Sequence, residues 1–314
     1  MRLVHIIIAV GVLLVALVPL ALPFLEFVLT IAIAKGFAAL GVALLLRAGM
    51  ISIGHAMFYA VGAYTAAFLG TKLGVTDLAA MLLLALLMSA LTGLILGAFL
   101  VRYRAIFFAM LNLAISMVVF ALASKFYGIT GGSDGLRVPI PTIFGWAPDK
   151  PVFDTVLFYV ALTLAVSIGY LVYRYLKSPL GHALASIHTN EVRLEYLGVS
   201  AWAVLLAAYV ISASLAGIGG AIAAVSIGHV LPEYAFWTES GHFVLTAVLG
   251  GIGGVVGPFI GSIFLESVHS VAVNYAAEYW NMIMGAALLI VIFFLPRGLY
   301  GLIERRKPNG EDKL

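Results

Sequence analysis

The sequence contains no cysteine and very little charge: only 10% of its 314 residues are Asp, Glu, Lys or Arg. The first absence excludes disulfide frameworks, cysteine–zinc sites and thiol redox chemistry. The second excludes the soluble classes, because a soluble domain carries about 25% charged and about 45–50% apolar residues. Here the apolar share is 63% and the mean hydropathy is +1.14. So little charge cannot solvate most of the chain, which argues against a soluble enzyme, a nucleic-acid-binding domain or a disordered segment. Two chemical signatures are also missing: there is no His-Glu-x-x-His for a metalloprotease and no Gly-x-x-x-x-Gly-Lys-Ser/Thr for a phosphate loop. Ser240-Gly241-His242 sets a serine beside a histidine, but adjacent residues point apart on a helix and nothing orients the ring. No catalytic residue and no metal site is expected.

What is present is apolar sequence in long runs. A membrane barrel needs strands of about ten residues with alternating polarity, whereas residues 81–87 and 286–295 are continuously apolar. The fold class read from this is all-α: a polytopic membrane protein with about ten transmembrane helices. The segments are 4–22, 27–46, 50–71, 78–100, 105–124, 155–173, 201–228, 242–257, 259–273 and 279–295. The eighth and ninth are short and rich in glycine, so they read as half-helices, a re-entrant pair or two crossings. The first resembles a signal peptide in outline, but no small-residue cleavage site follows, and it is expected to be retained. Of the 17 Lys and Arg residues, twelve fall on the side of the N-terminus, four on the other, and Lys35 lies within a span. That asymmetry predicts both termini in the cytoplasm. Five spans per half would make an inverted repeat of five plus five. The chain reads as a single transmembrane domain over 1–314, with an outer loop at 125–154, a cytoplasmic loop at 174–200 and a cytoplasmic tail at 297–314.

The cytoplasmic loop is more than a connector. Pro179 suits a first helical turn, and Leu180, Leu184 and Ile187 recur at helical spacing. Asn190 is positioned to cap a second short helix and Gly198 to end it. Glu191 and Glu195 set the segment against an anionic lipid surface, so its apolar stripe is expected to meet a protein partner.

Three groups of residues then carry a family resemblance. The run Gly49-Met50-Ile51-Ser52-Ile53-Gly54-His55 continuing to Thr65, the outer stretch 130–136 and the 178–198 loop resemble bacterial branched-chain amino acid ABC transporter permeases, M-type (Liv-type) subunit. Trp237-Thr238-x-Ser240-Gly241, Leu249-Gly250-Gly251, Gly257-Pro258 and Pro296-Arg297-Gly298-Leu299 follow in the family's order, over about residues 38 to 302. Val42 and Leu46 stand where the family commonly has Asn and Gly, His242 where an acid often follows Ser-Gly, and Lys35 where an apolar residue is usual.

The resemblance implies a permease subunit of an ATP-driven importer in the bacterial inner membrane. Its cargo would be a branched-chain amino acid or, for relatives in the superfamily, urea, a short amide or an aromatic acid. It implies a second related permease subunit, two ATPase subunits that bind ATP and Mg, and a periplasmic substrate-binding protein; nucleic acid has no part. The 178–198 loop would be the ATPase-coupling element, with Leu180, Gly181, Leu184, Ile187, Glu191 and Gly198 as its residues. Gly131, Gly132, Ser133 and Asp134 form an outer turn that either caps a helix or meets the binding protein.

The polar residues within spans have two readings. Ser52, His55 and Tyr59 share one face, as do Asn112 and Ser116; each set either lines a substrate path or bonds a neighbouring helix. Lys35 needs an acid, a partner or a snorkelling route. Glu266 has His269 one turn away and reads as its pair. An ion-coupled transporter or channel is the rival class, with Lys35, Glu266 and His269 as coupling residues. The ladders Ser89-Gly93-Gly97 and Gly253-Gly257-Gly261 read as helix-packing faces.

Overall fold

A computed structural model describes residues 2–22, 24–276, 278–295 and 298–302. The expected Pro296 and Arg297 motif positions and most of the tail lie outside the described residues. Twelve helices are found among those described: α1 Arg2–Ala21, α2 Leu25–Leu46, α3 His55–Lys72, α4 Leu78–Leu100, α5 Ala105–Lys125, α6 Tyr127–Thr130, α7 Lys150–Leu176, α8 Pro179–Tyr196, α9 Ala201–Ile227, α10 Trp237–Gly250, α11 Gly257–Tyr275 and α12 Trp280–Phe294. Five of them, α2, α4, α5, α7 and α9, are long and apolar enough to cross a membrane by length and composition. The chain is therefore a polytopic helical membrane protein.

Capping residues explain where several helices start. Asp77 Oδ1 accepts from the amides of Ala79 and Ala80 at 3.0 and 3.2 Å, fixing the start of α4. Ser200 accepts from Ala203 N at the start of α9, and Gly228 closes that helix with φ +76°. Such side chains satisfy amides that have no partner within the helix.

Helices α2 and α9 form the centre. Their apolar windows are 89% and 78% buried, against 33%, 17% and 22% for α4, α5 and α7, which must be covered by lipid or another subunit. The centre is tight because small residues allow backbones to meet. A Cβ on Gly220 would lie 1.8 Å from Tyr59 O, and one on Gly62 would lie 2.0 Å from Gly217 O, so α3 and α9 touch at glycine. The ladder on α4 meets the same helix, Gly93 against Ala213 and Gly97 against Tyr209. Gly261 of α11 likewise packs on Thr246 and Gly250 of α10.

Two local expectations are corrected, and one feature is added. Helix α3 begins at His55 rather than at residue 50, because residues 50–54 run non-helically into the bundle and Gly54 presses on the Asn112 backbone. Helix α10 ends at Gly250, well before 257, where Gly251 takes φ +95°. A two-stranded antiparallel ribbon, β1 Leu136–Arg137 with β2 His229–Val230, ties the 125–154 loop to the exit of α9.

Contacts between loops sort into two ends of the bundle. At one end Arg47 donates to the carbonyls of Ile252 and Gly253 at 2.8 and 2.9 Å, the His188 ring covers Gly49, and Gly298 lies on Gly251. At the other, β1 pairs with β2, Leu78 N donates to Thr142 O at 2.9 Å, and Thr155 Oγ1 donates to Glu26 at 3.2 Å.

Candidate functional site

Helix α3 begins at the fully buried His55, whereas α10 begins at exposed Trp237 and buries Ser240 in its first turn. The first turns of α3 and α10 meet where Ala56 N donates to Ser240 Oγ at 2.8 Å. His55 is bonded on both ring nitrogens, Nδ1 to Ser52 Oγ at 2.7 Å and Nε2 to Ser212 Oγ, and Ser212 lies well inside α9. Asn112 Oδ1 accepts from Tyr209 OH at 2.5 Å while its Nδ2 donates to Phe108 O at 2.8 Å. Ser116 Oγ donates to Ala235 O at 2.8 Å, holding the segment that leads into α10. Ser52, His55, Asn112 and Ser116 are all fully buried, and each has a partner inside the chain. Buried polar groups in this state must be bonded, and these are. Sequence reasoning missed Tyr209 and Ser212, which stand three apart on α9, spacing of the kind that marked Asn112 and Ser116; Ser240 was singled out for its place in the Ser-Gly motif, but not as a helix-joining acceptor.

Tyr59, one turn beyond His55, has a different setting. Its ring stacks near Tyr234 and Phe243, with centroids 5.8 and 5.1 Å away, and it reaches a cavity of about 480 Å³ between α2, the end of α9, the start of α10 and α11. Lys35 and Glu266 face each other in this cavity, Nζ to Oε1 at 2.8 Å. Glu266 is therefore the partner of Lys35, through a contact from α2 to α11, and His269 lies in the same charged group on α11. His269, Glu239, Glu233 and Tyr234 also line the cavity. A lysine ammonium has three donors and Glu266 takes one of them, so the cavity offers both a cation with donors to spare and carboxylate oxygens.

Helix α8 bends at Asn190, whose backbone leaves the helical region while its Oδ1 accepts from Arg193 N at 2.9 Å. Gly198 ends the element with φ +82°. The cap and the terminator are as the sequence implied. The exposed stripe is not. Leu184 and Ile187 are buried in the chain's own core and Gly181 sits against the backbone of Tyr175 and Leu176, whereas Leu180 is exposed. The apolar residues that α8 and its exit leave open are Leu180, Val192, Tyr196 and Leu197. Glu191 is held by Arg104 through two contacts, 2.9 Å from Nε and 2.6 Å from an Nη, which fasten α8 to the turn between α4 and α5. Those hydrogen bonds keep the Glu191 carboxyl below the usual carboxylate range, against the opposing effect of its partial burial.

The outer turn is a built structure. Gly131 and Gly132 take φ +76° and +58°, and a Cβ on Gly131 would meet Gly135 O at 1.9 Å. Tyr127 OH donates to Asp134 Oδ2 at 2.7 Å, and His229 Nε2 lies 2.8 Å from Asp134 O. Ser133 and Asp134 point into solvent.

Residues 24–292 match the family described as branched-chain amino acid transport system / permease component. The chain belongs to this family. Among its relatives, the high-affinity branched-chain amino acid transport system permease protein LivM of Salmonella typhimurium is 31% identical over 272 residues, covering 80% of this chain and 64% of LivM. LivH of Escherichia coli is 28% identical over 190 residues, 60% of this chain and 57% of LivH. BraD of Pseudomonas aeruginosa is 25% identical over 278 residues, 82% of this chain and 88% of BraD. The chain thus spans 64% of the length of the LivM relatives it matches. No solved structure matches it.

Proposed function

We propose that the chain is one transmembrane subunit of an ATP-driven importer that moves a branched-chain amino acid or a similar small polar solute into the cytoplasm across a bacterial inner membrane. Family membership sets the class. The structural observation that supports transport is the meeting of α3 and α10. They correspond to the third and eighth apolar segments, equivalent positions in a five-plus-five inverted repeat; α3 is entered by the non-helical stretch 50–54, and α10 follows a short 3-10 turn at Pro232–Ala235. Paired broken helices at matching positions mark the binding region of many transporters. Ten crossings with both termini inside also agree with the loop contacts, since each contact described above joins segments that the charge count puts on one face.

On this reading the chain is a single permease domain over 1–314. Tyr59 and the charged cavity lie on the solute's route, and the Ser52–His55–Asn112–Ser116 cluster is its packed floor in this conformation. The turn at 131–134 receives a periplasmic binding protein. A second permease subunit covers part of the apolar perimeter, and two ATPase subunits, which bind ATP and Mg, dock on the 174–200 segment. Their contact is the exposed set Leu180, Val192, Tyr196 and Leu197, because Leu184 and Ile187 already pack within the chain. Burying such side chains contributes about 1.5–3 kcal/mol each.

Co-purification tests the docking. Leu180→Asp with Tyr196→Asp should release the ATPase subunits while the permease keeps its elution profile in detergent. Full retention of the ATPase by this variant would contradict the assignment.

A further inference from the structure

We propose that the cavity between α2 and α11 is a binding site for the zwitterionic headgroup of a neutral α-amino acid, with Lys35 receiving the carboxylate and Glu239 the ammonium. This rests on the importer reading above and adds the place where the solute is recognised within the permease.

The cavity has the size for it: about 480 Å³ falls within the range of roughly 300–1,000 Å³ that small-molecule sites occupy. Its charges are arranged for a dipolar ligand. Lys35 uses one donor on Glu266 Oε1, and its remaining protons are available to a second carboxylate. Glu239, in the first turn of α10, lines the same space, and its carboxylate makes no hydrogen bond or ion pair among the described residues. A carboxylate in a partly enclosed apolar setting is costly when unmatched, and a ligand ammonium supplies the match. A simple metal site is a poor alternative. No group of three or more His, Asp or Glu side chains that could hold a metal is found among the described residues, and the Lys35 ammonium stands in the cavity.

The rest of the lining sets selectivity. Ile31, Ile227 and Val273 offer an apolar wall for an aliphatic side chain. Glu266 and Glu239 line the cavity with exposed Glu233 beside them, so acid outnumbers base. A dicarboxylic amino acid would bring one more negative charge into that excess, and the geometry therefore selects against it.

The position of Glu239 also ties binding to the broken helices. Ser240, the next residue, holds the Ala56 amide, and Tyr59 lines the cavity one turn further along α3. A ligand bound to Glu239 would thus contact the α10 side of the junction directly.

The absence of native cysteine makes a protection experiment clean. Ser270 lines the cavity, and in spheroplasts expressing the full transport system a Ser270→Cys variant should react with a membrane-impermeant methanethiosulfonate. L-Leucine at ten times its dissociation constant should slow that reaction about tenfold by mass action. Leucinamide, which lacks the carboxylate, isocaproate, which lacks the ammonium, and L-glutamate should each protect much less at the same concentration. Adding Glu239→Gln should remove the L-leucine protection while the reaction without ligand keeps its rate. The doubly neutral Lys35→Gln/Glu266→Gln background, which leaves no unpaired charge from the ion pair, should do the same. A Ser270→Cys variant that does not react from outside, or that L-leucine does not protect, overturns the proposal. So does equal protection by leucinamide or isocaproate, or protection that survives Glu239→Gln. The readout needs neither ATP nor the ATPase contact, so its failure is distinct from failure of the importer reading.

Discussion

Ala56 and Ser240 lie 184 residues apart, yet the Ala56 amide donates to Ser240 Oγ at 2.8 Å and joins the first turns of α3 and α10. The first amides of a helix have no partner within it. Burying the start of α3 is therefore tolerable only if other elements bond its amides, and Ser240 of α10 is one such element. The same junction places His55 between Ser52 and Ser212, so four non-helical or helical segments meet through hydroxyls and one imidazole.

His55→Ala should damage the fold before it damages transport. It leaves the Ser52 and Ser212 hydroxyls without their buried partner and opens a cavity beside Phe58 and Tyr209. Each orphaned group costs about 1–3 kcal/mol, so the thermal midpoint of the detergent-solubilised protein should fall clearly. Tyr59→Phe should keep the midpoint within a degree or two. An unaltered midpoint in His55→Ala, with transport lost, would instead move His55 into the substrate path.

Gly220→Ala is expected to destabilise strongly. Its Cβ would fall 1.8 Å from Tyr59 O on a packed backbone, and overpacking of this kind costs about 1–3 kcal/mol or more. Gly128→Ala and Gly241→Ala meet nothing within 4 Å and serve as controls. Size-exclusion after graded heating separates the outcomes: early loss for Gly220→Ala, unchanged profiles for the controls.

The Arg104–Glu191 contact predicts a particular pH dependence. Arg104 lowers the Glu191 carboxyl below its unfolded value of about 4.3. A depressed acid contributes stability above the unfolded value and loses it as pH falls through the folded one. The pair is partly exposed, 34% and 30% for the two side chains, so its contribution should be about 1 kcal/mol or less. Wild type and Glu191→Gln should differ by a constant amount between about pH 8 and pH 5 and converge below about pH 4. Thermal midpoints across that range provide the measurement, and a difference that grows as pH falls would contradict it.

Topology has a direct test in a chain without cysteine. Ser133 and Asn190 are both exposed. Ser133→Cys should label with an impermeant reagent from outside intact cells, and Asn190→Cys only after the membrane is opened. Labelling of both from one side would contradict ten crossings with the termini inside.

Some of this was legible in the sequence and some was not, for physical reasons. The bounds of α4 agree with expectation because Asp77 caps one end and Arg102 with Arg104 follow the other. The kink at Asn190 and the stop at Gly198 were readable because capping and positive φ are local chemistry. The start of α3 was not, because residues 50–54 are held out of the helix by Gly54 meeting Asn112, a tertiary contact. Lys35 has its acid 231 residues away, and no local pattern points there. The amphipathic pattern of α8 showed that Leu184 and Ile187 need a cover, but amphipathicity cannot say whether the cover is another protein or the chain's own core; here it is the core.

The central claim is that this chain works only as part of an ATP-driven importer. The direct test is uptake of radiolabelled L-leucine by proteoliposomes holding the chain with its second permease subunit and two ATPase subunits, supplied with the binding protein. Uptake should require ATP on the ATPase side and stop when the phosphate-loop lysine of the ATPase is replaced. Uptake by the chain alone under an ion gradient, without ATP or ATPase, would contradict the account.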